Sequence, residues 1–465
     1  MNAPFLWILL PLLMAGLALL ARTQRTAMII GAATAAILAF IALVVPINVA
    51  FAVGPFSFKL GGTLNFLGRS FTFATGDGPL LAVLYGLAAI WFFGSESVNM
   101  ARRLTPAGLA ILALLVGSMA VQPFLFAALL IEVACLLAAP MLLPLNQPPG
   151  RGILRFVIYQ TLAMPFILFA GWLLAGVETS PGDAALTGSA SAILFLGFAF
   201  LLAIFPLNTW IPMLLEETPA YVTGFLLWIL SQTAILFAMS FVDRYTFLRL
   251  SPDLPPALRV AGLTMVGTAG LWAAFERHLG RLMGFAVIAE TGYTLLSLSL
   301  GSSAGIETIF LQMIPRGFGM AVWAMSLTII QGQVEEPRFS NVQGAARAVP
   351  FATVGLILAS LSSVGVPLLA GFPARLALME ELASVSLGQV LALMIGLGGL
   401  LTGTIRTLAV SVMTPANTPW ERRESRAQMV LLVLGVAVLF VLGLFPQATR
   451  PLLENLPALF PRLGL

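Results

Sequence analysis

Residues 206–219 read PLNTWIPMLLEETP, placing two adjacent carboxylates, Glu216 and Glu217, and three prolines, Pro206, Pro212 and Pro219, between two apolar runs. A proline has no N–H and collides with the preceding helical turn, so this stretch cannot be the interior of one unbroken helix. The chain around it avoids charge. Its 465 residues are 59% hydrophobic and 9% charged, with a mean hydropathy of +1.01. Soluble domains carry about a quarter charged residues, so the composition describes a polytopic membrane protein.

The N-terminal stretch FLWILLPLLMAGLALLA has no basic start and no small-residue cleavage site, and reads as a first span rather than a signal peptide. Cys135 is the single cysteine, which excludes a disulfide within the chain and a cysteine-based metal cluster. The single histidine, His278, argues against a haem or multi-histidine centre and reads as a surface-loop residue in FERHLGR. No nucleotide motif is present. No catalytic, metal or cofactor-binding site is expected in this chain. The sequence pI near 9.7 comes from basic residues spread over short loops, which set membrane topology and do not indicate nucleic acid.

Apolar runs of about 20 residues, enough to cross roughly 30 Å of hydrocarbon, begin near residues 4, 28, 78, 106, 123, 152, 188, 218, 256, 279, 305, 350, 386 and 427. These predict fourteen helices, the fourth and fifth separated by VQPF. With the N-terminus outside, thirteen arginines fall in inner loops: Arg22, Arg25, Arg102, Arg103, Arg151, Arg155, Arg277, Arg281, Arg338, Arg347, Arg422, Arg423 and Arg426. Seven basic residues fall outside: Lys59, Arg69, Arg244, Arg249, Arg259, Arg450 and Arg462. That asymmetry predicts both termini on the outer face of a prokaryotic cytoplasmic membrane. Residues 52–77 form the longest outer loop, where alternating Phe56, Phe58 and Leu60, then Phe71 and Phe73, predict a capping hairpin. All of 1–465 is expected to be one membrane domain, with N-terminal helices in 1–105, a first repeat in 106–242, a second in 256–413 and a last helix at 427–447.

Charges also fall where lipid is expected. Arg316, Arg375 and Arg406 lie inside predicted spans, and Glu132, Glu290, Glu307, Glu380 and Glu381 lie inside or at their edges. An ionisable group at mid-membrane costs several kcal/mol and faces a protein interior or a hydrated path. Glu307 and Arg406 read as helix-end residues reaching outward. Glu132 and Glu290 take either a structural counter-charge role or a place in an ion path. Prolines interrupt the seventh and twelfth spans, in AIFPLNTWIP and GVPLLAGFPARL. Corresponding interruptions in two halves point to an inverted-repeat transporter, although single proline kinks are common in membrane helices.

Taken in order, PLNTWIPMLLEETPAYVTGFL, RLMGFAVIAETGYTLLSL, NVQGAARAVPF and SVGVPLLAGFPARLAL resemble the antiporter-like membrane subunits of respiratory complex I (NADH:quinone oxidoreductase), membrane-bound hydrogenases and Mrp-type cation/proton antiporters. GDGPLLAVLYGL and GLFPQ are similar to weaker signatures of that family near either end. The resemblance implies an all-α fold of about 14 transmembrane helices. Helices 4–8 and 9–13 would form two inverted five-helix repeats, with helices 7 and 12 broken. It also implies that Glu216 and Glu217 sit at the membrane surface, in the turn between helices 7 and 8. The short tail after the last span resembles the inner members of the family, which lack a long lateral helix.

The family's proton path, as the resemblance implies it, uses a glutamate on helix 5 and lysines on helices 7 and 8. A histidine or lysine on helices 10 to 11 and a lysine or glutamate on helix 12 complete it. Glu132 matches the helix 5 glutamate. The helix 7 lysine falls on or near Leu201, and the helix 8 lysine on Gln232. Glu290 takes the helix 10 position, Arg316 is the only charge on helix 11, and Arg375 stands on helix 12. The candidate ion-path or counter-charge residues are therefore Glu132, Gln232, Glu290, Arg316 and Arg375. Lys59, in an outer loop, is the only lysine in the chain. Lysine exchanges protons when buried, whereas arginine stays charged at any accessible pH.

Two explanations compete: transport lost, leaving a scaffold inside a larger complex, or a rewired path through Glu132, Glu290 and water with arginines as fixed counter-charges. The first is favoured. The expected function is a non-redox antiporter-like membrane subunit of a complex I-like or related energy-converting redox complex, among other membrane subunits that include homologues. Any redox cofactor would belong to those neighbours. The alternatives are a membrane subunit of a Mrp-type antiporter or of an inorganic-carbon uptake system, and, outside the family, a membrane enzyme.

Overall fold

The structure is a computed structural model describing residues 2–463 apart from 54–55, 67, 144–147, 180–183, 335 and 414–419. A π-helical turn, Phe5–Leu9, leads into α1 (Leu10–Leu19), α2 (Gln24–Val44), α3 (Gly78–Gly94), α4 (Ala101–Ala120), α5 (Ala127–Leu142), α6 (Arg151–Thr179) and α7 (Ala184–Leu201). The middle of the chain forms α8 (Trp210–Glu217), α9 (Ala220–Arg244), the single turn α10 (Thr246–Arg249), α11 (Leu254–Phe275), α12 (Leu279–Leu298), α13 (Ser303–Leu311) and α14 (Met313–Gln331). A short turn, α15 (Ala345–Ala348), precedes α16 (Pro350–Val364), α17 (Phe372–Val385), α18 (Leu387–Val412), α19 (Arg426–Leu444) and the final turn α20 (Arg450–Leu453). Among the described residues, ten helical stretches are long and apolar enough to cross a bilayer. A helix starts within about five residues of every apolar run expected from the sequence.

Local chemistry sets these starts. Thr23 and Ser425 form capping boxes with Thr26 and Gln428 at the N-termini of α2 and α19, satisfying amides that have no partner within the helix. Proline stands at the first turn of α3, α11, α16 and α17, where its missing N–H costs nothing. VQPF separates α4 from α5 as expected, through Val121–Gln122 and a 3-10 turn at Phe124–Phe126.

The buried helices are those nearest the centre of the bundle. α9 and the stretch Ser303–Gln331 are mostly buried, whereas α19 is mostly exposed. Trp91 on α3 stacks against Trp228 on α9, and Tyr221 donates its hydroxyl to the Trp91 carbonyl at 2.8 Å. On the other side, α11, α12 and α18 pack backbone to backbone. A Cβ on Gly270 would lie 2.0 Å from the Gly396 carbonyl, and one on Gly399 would lie 2.2 Å from the Gly270 carbonyl. Such approaches are how membrane helices gain dispersion contact without a hydrophobic driving force.

The loops gather at two ends. At one end Gln24 accepts from the Arg102 amide, Gln428 donates to Ser97, Arg423 bonds the Ala348 carbonyl, and Leu279 bonds the Pro337 carbonyl. At the other, Asn48 bonds Gly62 and Phe73, and Asp243 accepts from the amides of Arg462 and Leu463. The loop over 52–77 differs from the single hairpin expected. It makes two, β1 (Ala50–Val53) with β2 (Phe56–Lys59) and β3 (Thr63–Phe66) with β4 (Arg69–Thr72), and β4 also pairs with β5 (Val121–Gln122).

Both proline-bearing interruptions are helix breaks. α7 stops at Leu201 and α8 starts at Trp210, with Ala203 at φ 51° between them. α16 stops at Val364 and α17 starts at Phe372, with Gly365 at φ 87° and Leu368 at φ 75° between them.

Candidate functional site

The break between α16 and α17 places the first site. Gly371 donates its amide to the Ser362 hydroxyl at 3.1 Å, and the Arg375 amide closes the first turn of α17 onto the Gly371 carbonyl at 3.2 Å. Arg375 thereby points into the bundle, where its guanidinium meets Glu290 on α12 at 2.5 Å. The same guanidinium donates to Gln312 at 3.3 Å and to the Ser363 carbonyl at 3.4 Å, and stacks 3.7 Å from the centre of the Tyr293 ring. The Ser363 carbonyl belongs to the last turn of α16, so the arginine satisfies an acceptor that the break leaves free.

Arg316 on α14 lies beside this pair. Its guanidinium donates to the hydroxyls of Ser231 on α9 at 2.9 Å and Thr291 on α12 at 3.3 Å. Glu290, Arg316 and Arg375 are 6%, 4% and 3% exposed and line one small cavity. Three of the five candidate residues therefore form a single buried cluster. Its two cations are guanidiniums, and its carboxylate is held in a short ion pair with one of them. Such a pair is costly to bury and more costly to break, because removing one partner strands the other.

Glu132 stands apart. On α5 it accepts one hydrogen bond from the Thr161 hydroxyl on α6, at 2.8 Å, and its second carboxyl oxygen is buried with no partner. Among the described residues no cation forms an ion pair with it. Gln160, next to Thr161, reaches the Leu201 carbonyl at 3.4 Å, which is the last residue of α7. Each helix break thus has a free carbonyl taken by a buried polar side chain, Gln160 in one half and Arg375 in the other. The Leu201 side chain itself is apolar and buried. Gln232 is buried in α9, and its neighbour Ser231, not Gln232, makes the bond to Arg316.

The acids of the opening segment are tied down at the end of the bundle that carries Arg281 and Arg338. Glu217 accepts the Gly152 amide at 2.7 Å at the N-terminus of α6, where the helix dipole favours a negative charge. Glu216 lies 3.7 Å from Arg281 and 3.9 Å from Arg338. Both carboxylates remain partly exposed. They hold α8 against its neighbours and take no part in the buried cluster.

His278 corrects the surface-loop reading. It is 5% exposed and caps α12, its Nδ1 accepting from the amides of Gly280 and Arg281 at 3.2 and 3.4 Å. FERHLGR carries no Ser, Thr, Asp or Asn at the cap, which hid this role. Burial pushes the imidazole down to about 4, from an ordinary value of 6.5. The unfolded chain therefore takes up a proton before the folded one does. The cap's stability is full above pH 6.5 and is lost as pH falls toward about 4. Thermal midpoints of the solubilised protein should drop over that window, by the equivalent of up to about 3 kcal/mol, and His278→Asn should flatten the drop. A midpoint profile unchanged by His278→Asn counts against the assignment.

Arg406 is half-buried and reaches the loop end of α11. It donates to the carbonyls of Ala274 and Glu276 at the C-terminal end of α11, where a cation meets the negative end of the helix dipole. Glu307 is exposed, as expected, and lines an outer cavity with Glu380, Glu381 and Glu454. Gln312, Tyr293, Thr291 and Ser231 were not anticipated as site residues. All are neutral, so a search for charges in oily runs passes them over. Their helical spacing could have found two of them: Tyr293 follows Glu290 by three residues on α12, and Gln312 precedes Arg316 by four.

Comparison with known proteins fits this geometry. Residues 173–402 match the family described as NADH:quinone oxidoreductase/Mrp antiporter, transmembrane. NADH-quinone oxidoreductase subunit N of Salinispora arenicola is 26% identical over 300 residues, covering 60% of this chain and 56% of that one. Subunit 14 of the Thermus thermophilus enzyme is 26% identical over 318 residues, covering 65% and 70%. The aligned part thus spans little more than half of the first of these relatives. Among solved structures, a chain of the Mrp complex from Dietzia superposes with a TM-score of 0.83 at 17% identity, covering 98% of this chain and 96% of that one. A chain of respiratory complex I from Thermus thermophilus superposes at 0.76 and 19% identity, covering 99% and 100%. Residues 173–402 thus match the NADH:quinone oxidoreductase/Mrp antiporter transmembrane family, in a chain that carries no lysine in its membrane helices.

Proposed function

We propose that this chain is a membrane subunit of a complex I-like or related energy-converting assembly, in which it fills an antiporter-like position without passing protons. The observation that carries the reading is the Glu290–Arg375 pair at 2.5 Å with Arg316 beside it. A relay needs groups that release and regain a proton, and this cluster places two permanent cations around its only carboxylate. Glu132, in the other half, has no cationic partner among the described residues.

In this reading the chain crosses the membrane fourteen times, the two broken helices counting once each. The breaks at 202–209 and 365–371 occupy equivalent places in two inverted repeats, 106–242 and 256–413. The arrangement of loops at two ends supports that topology, and the arginine asymmetry favours both termini outside a bacterial cytoplasmic membrane. Homologous antiporter-like subunits are the natural neighbours, and the electron carriers belong to other chains.

The test uses the intact complex in proteoliposomes, measuring protons moved per electron. Glu132→Gln and the paired replacement Glu290→Gln/Arg375→Met should leave that ratio unchanged. A fall in either, with electron transfer intact, would establish a rewired path and overturn the proposal. Co-purification gives the assembly: iron–sulfur or flavin subunits support a redox complex, whereas a lone zinc protein or small antiporter subunits move the chain to an uptake or antiport system.

A further inference from the structure

The buried cluster is not electrically balanced. Arg316 and Arg375 carry two positive charges, and Glu290 is the only carboxylate among the described residues that lines their cavity. Among the described residues, the Arg316 guanidinium donates only to neutral hydroxyls. The Nε groups of both arginines are buried with no acceptor, in residues that are 4% and 3% exposed. Arginine does not shed its proton to relieve the excess, and a net charge in a low-dielectric interior draws a counter-ion.

The space matches one. The cavity between Glu290, Gln312, Arg316 and Arg375 measures about 20 Å³, close to the room one water or one monatomic ion needs. A water would fill it without supplying charge, and a phosphate or carboxylate ligand is too large. Ser362 at the α16–α17 break lines the same cavity; its oxygen accepts from the Gly371 amide, which leaves its hydroxyl proton to donate, whereas the Ser363 hydroxyl is spent on the Ser360 carbonyl. We infer that Arg316 and Arg375 hold a monatomic anion of the chloride class between them. The ion completes the charge balance of the second half of the bundle, and this holds whether or not the chain passes protons.

The experiment compares chloride, bromide and gluconate salts at constant ionic strength, reading the thermal midpoint of the full chain in nanodiscs. Chloride and bromide should raise the midpoint saturably over gluconate, by about 2 °C for each tenfold rise above the dissociation constant. Arg316→Gln should abolish the halide effect. Equal midpoints in all three salts overturn the inference, as does a halide effect that survives Arg316→Gln. If that variant fails to fold, crystals of the unaltered protein grown in bromide decide the matter. An anomalous peak between the two guanidiniums supports the site, and featureless density there overturns it.

Discussion

Glu290→Gln is expected to cost the fold roughly 3–5 kcal/mol, the range found when one partner of a buried ion pair is removed. The substitution strands two guanidiniums that are 4% and 3% exposed. Arg375→Met should cost much less, because Arg316 remains beside Glu290 to balance it. The double variant Glu290→Gln/Arg375→Met returns the cluster to the net charge it has now, and should recover most of the loss. Denaturant titration of the solubilised protein checks this as a double-mutant cycle. Additive effects of the two substitutions would mean that the pair is not coupled and that Glu290 is held by something else.

Gly371→Ala should be nearly as damaging, for a steric reason. A Cβ there would lie 1.9 Å from the Ser362 carbonyl oxygen, and neither backbone can yield without opening the helix break. Overpacking of this kind costs about 3 kcal/mol or more when the obstacle is main chain. Gly365→Ala should also destabilise, since its φ of 87° disfavours a side chain and its Cβ would meet the Arg375 Cγ at 2.6 Å. Gly398→Ala on α18 is the control, with nothing within 4 Å of the added atom. Expression level and thermal midpoint should fall for the two break glycines and hold for the control. Equal behaviour of all three variants would show that the break tolerates crowding.

Much of the fold was legible because hydrocarbon imposes a simple code: a run of about 20 apolar residues can be read one at a time. The helix breaks were legible for the same reason, since Pro206 and Pro367 interrupt such runs visibly. The site was half legible. Glu290, Arg316 and Arg375 were conspicuous as charges in oily surroundings, but their mutual contact depends on packing between α12, α14 and α17. Arg316 binding Ser231 and not Gln232 is a matter of which side of α9 faces α14, and a slip of one residue turns a helix by about 100°. His278 was misread because its burial depends on the chain around Arg338 folding over it, through the bonds from Leu279 to Pro337 and from Phe339 to Arg277. Nothing local to FERHLGR encodes that cover.

The glycine contacts among α11, α12 and α18 have a mechanical consequence. Where Gly270 meets Gly396 and Gly399, and Gly262 meets Gly292, main chains touch with no side chain between them to change rotamer. Helices joined in that way move as one plank, because sliding needs gaps that such surfaces do not have. Glu290 is mounted on that plank through α12, and Arg375 is fixed to the end of α16 by the equally close Gly371–Ser362 contact. The ion pair therefore clamps two stiff bodies together, and relative movement between them would have to break it.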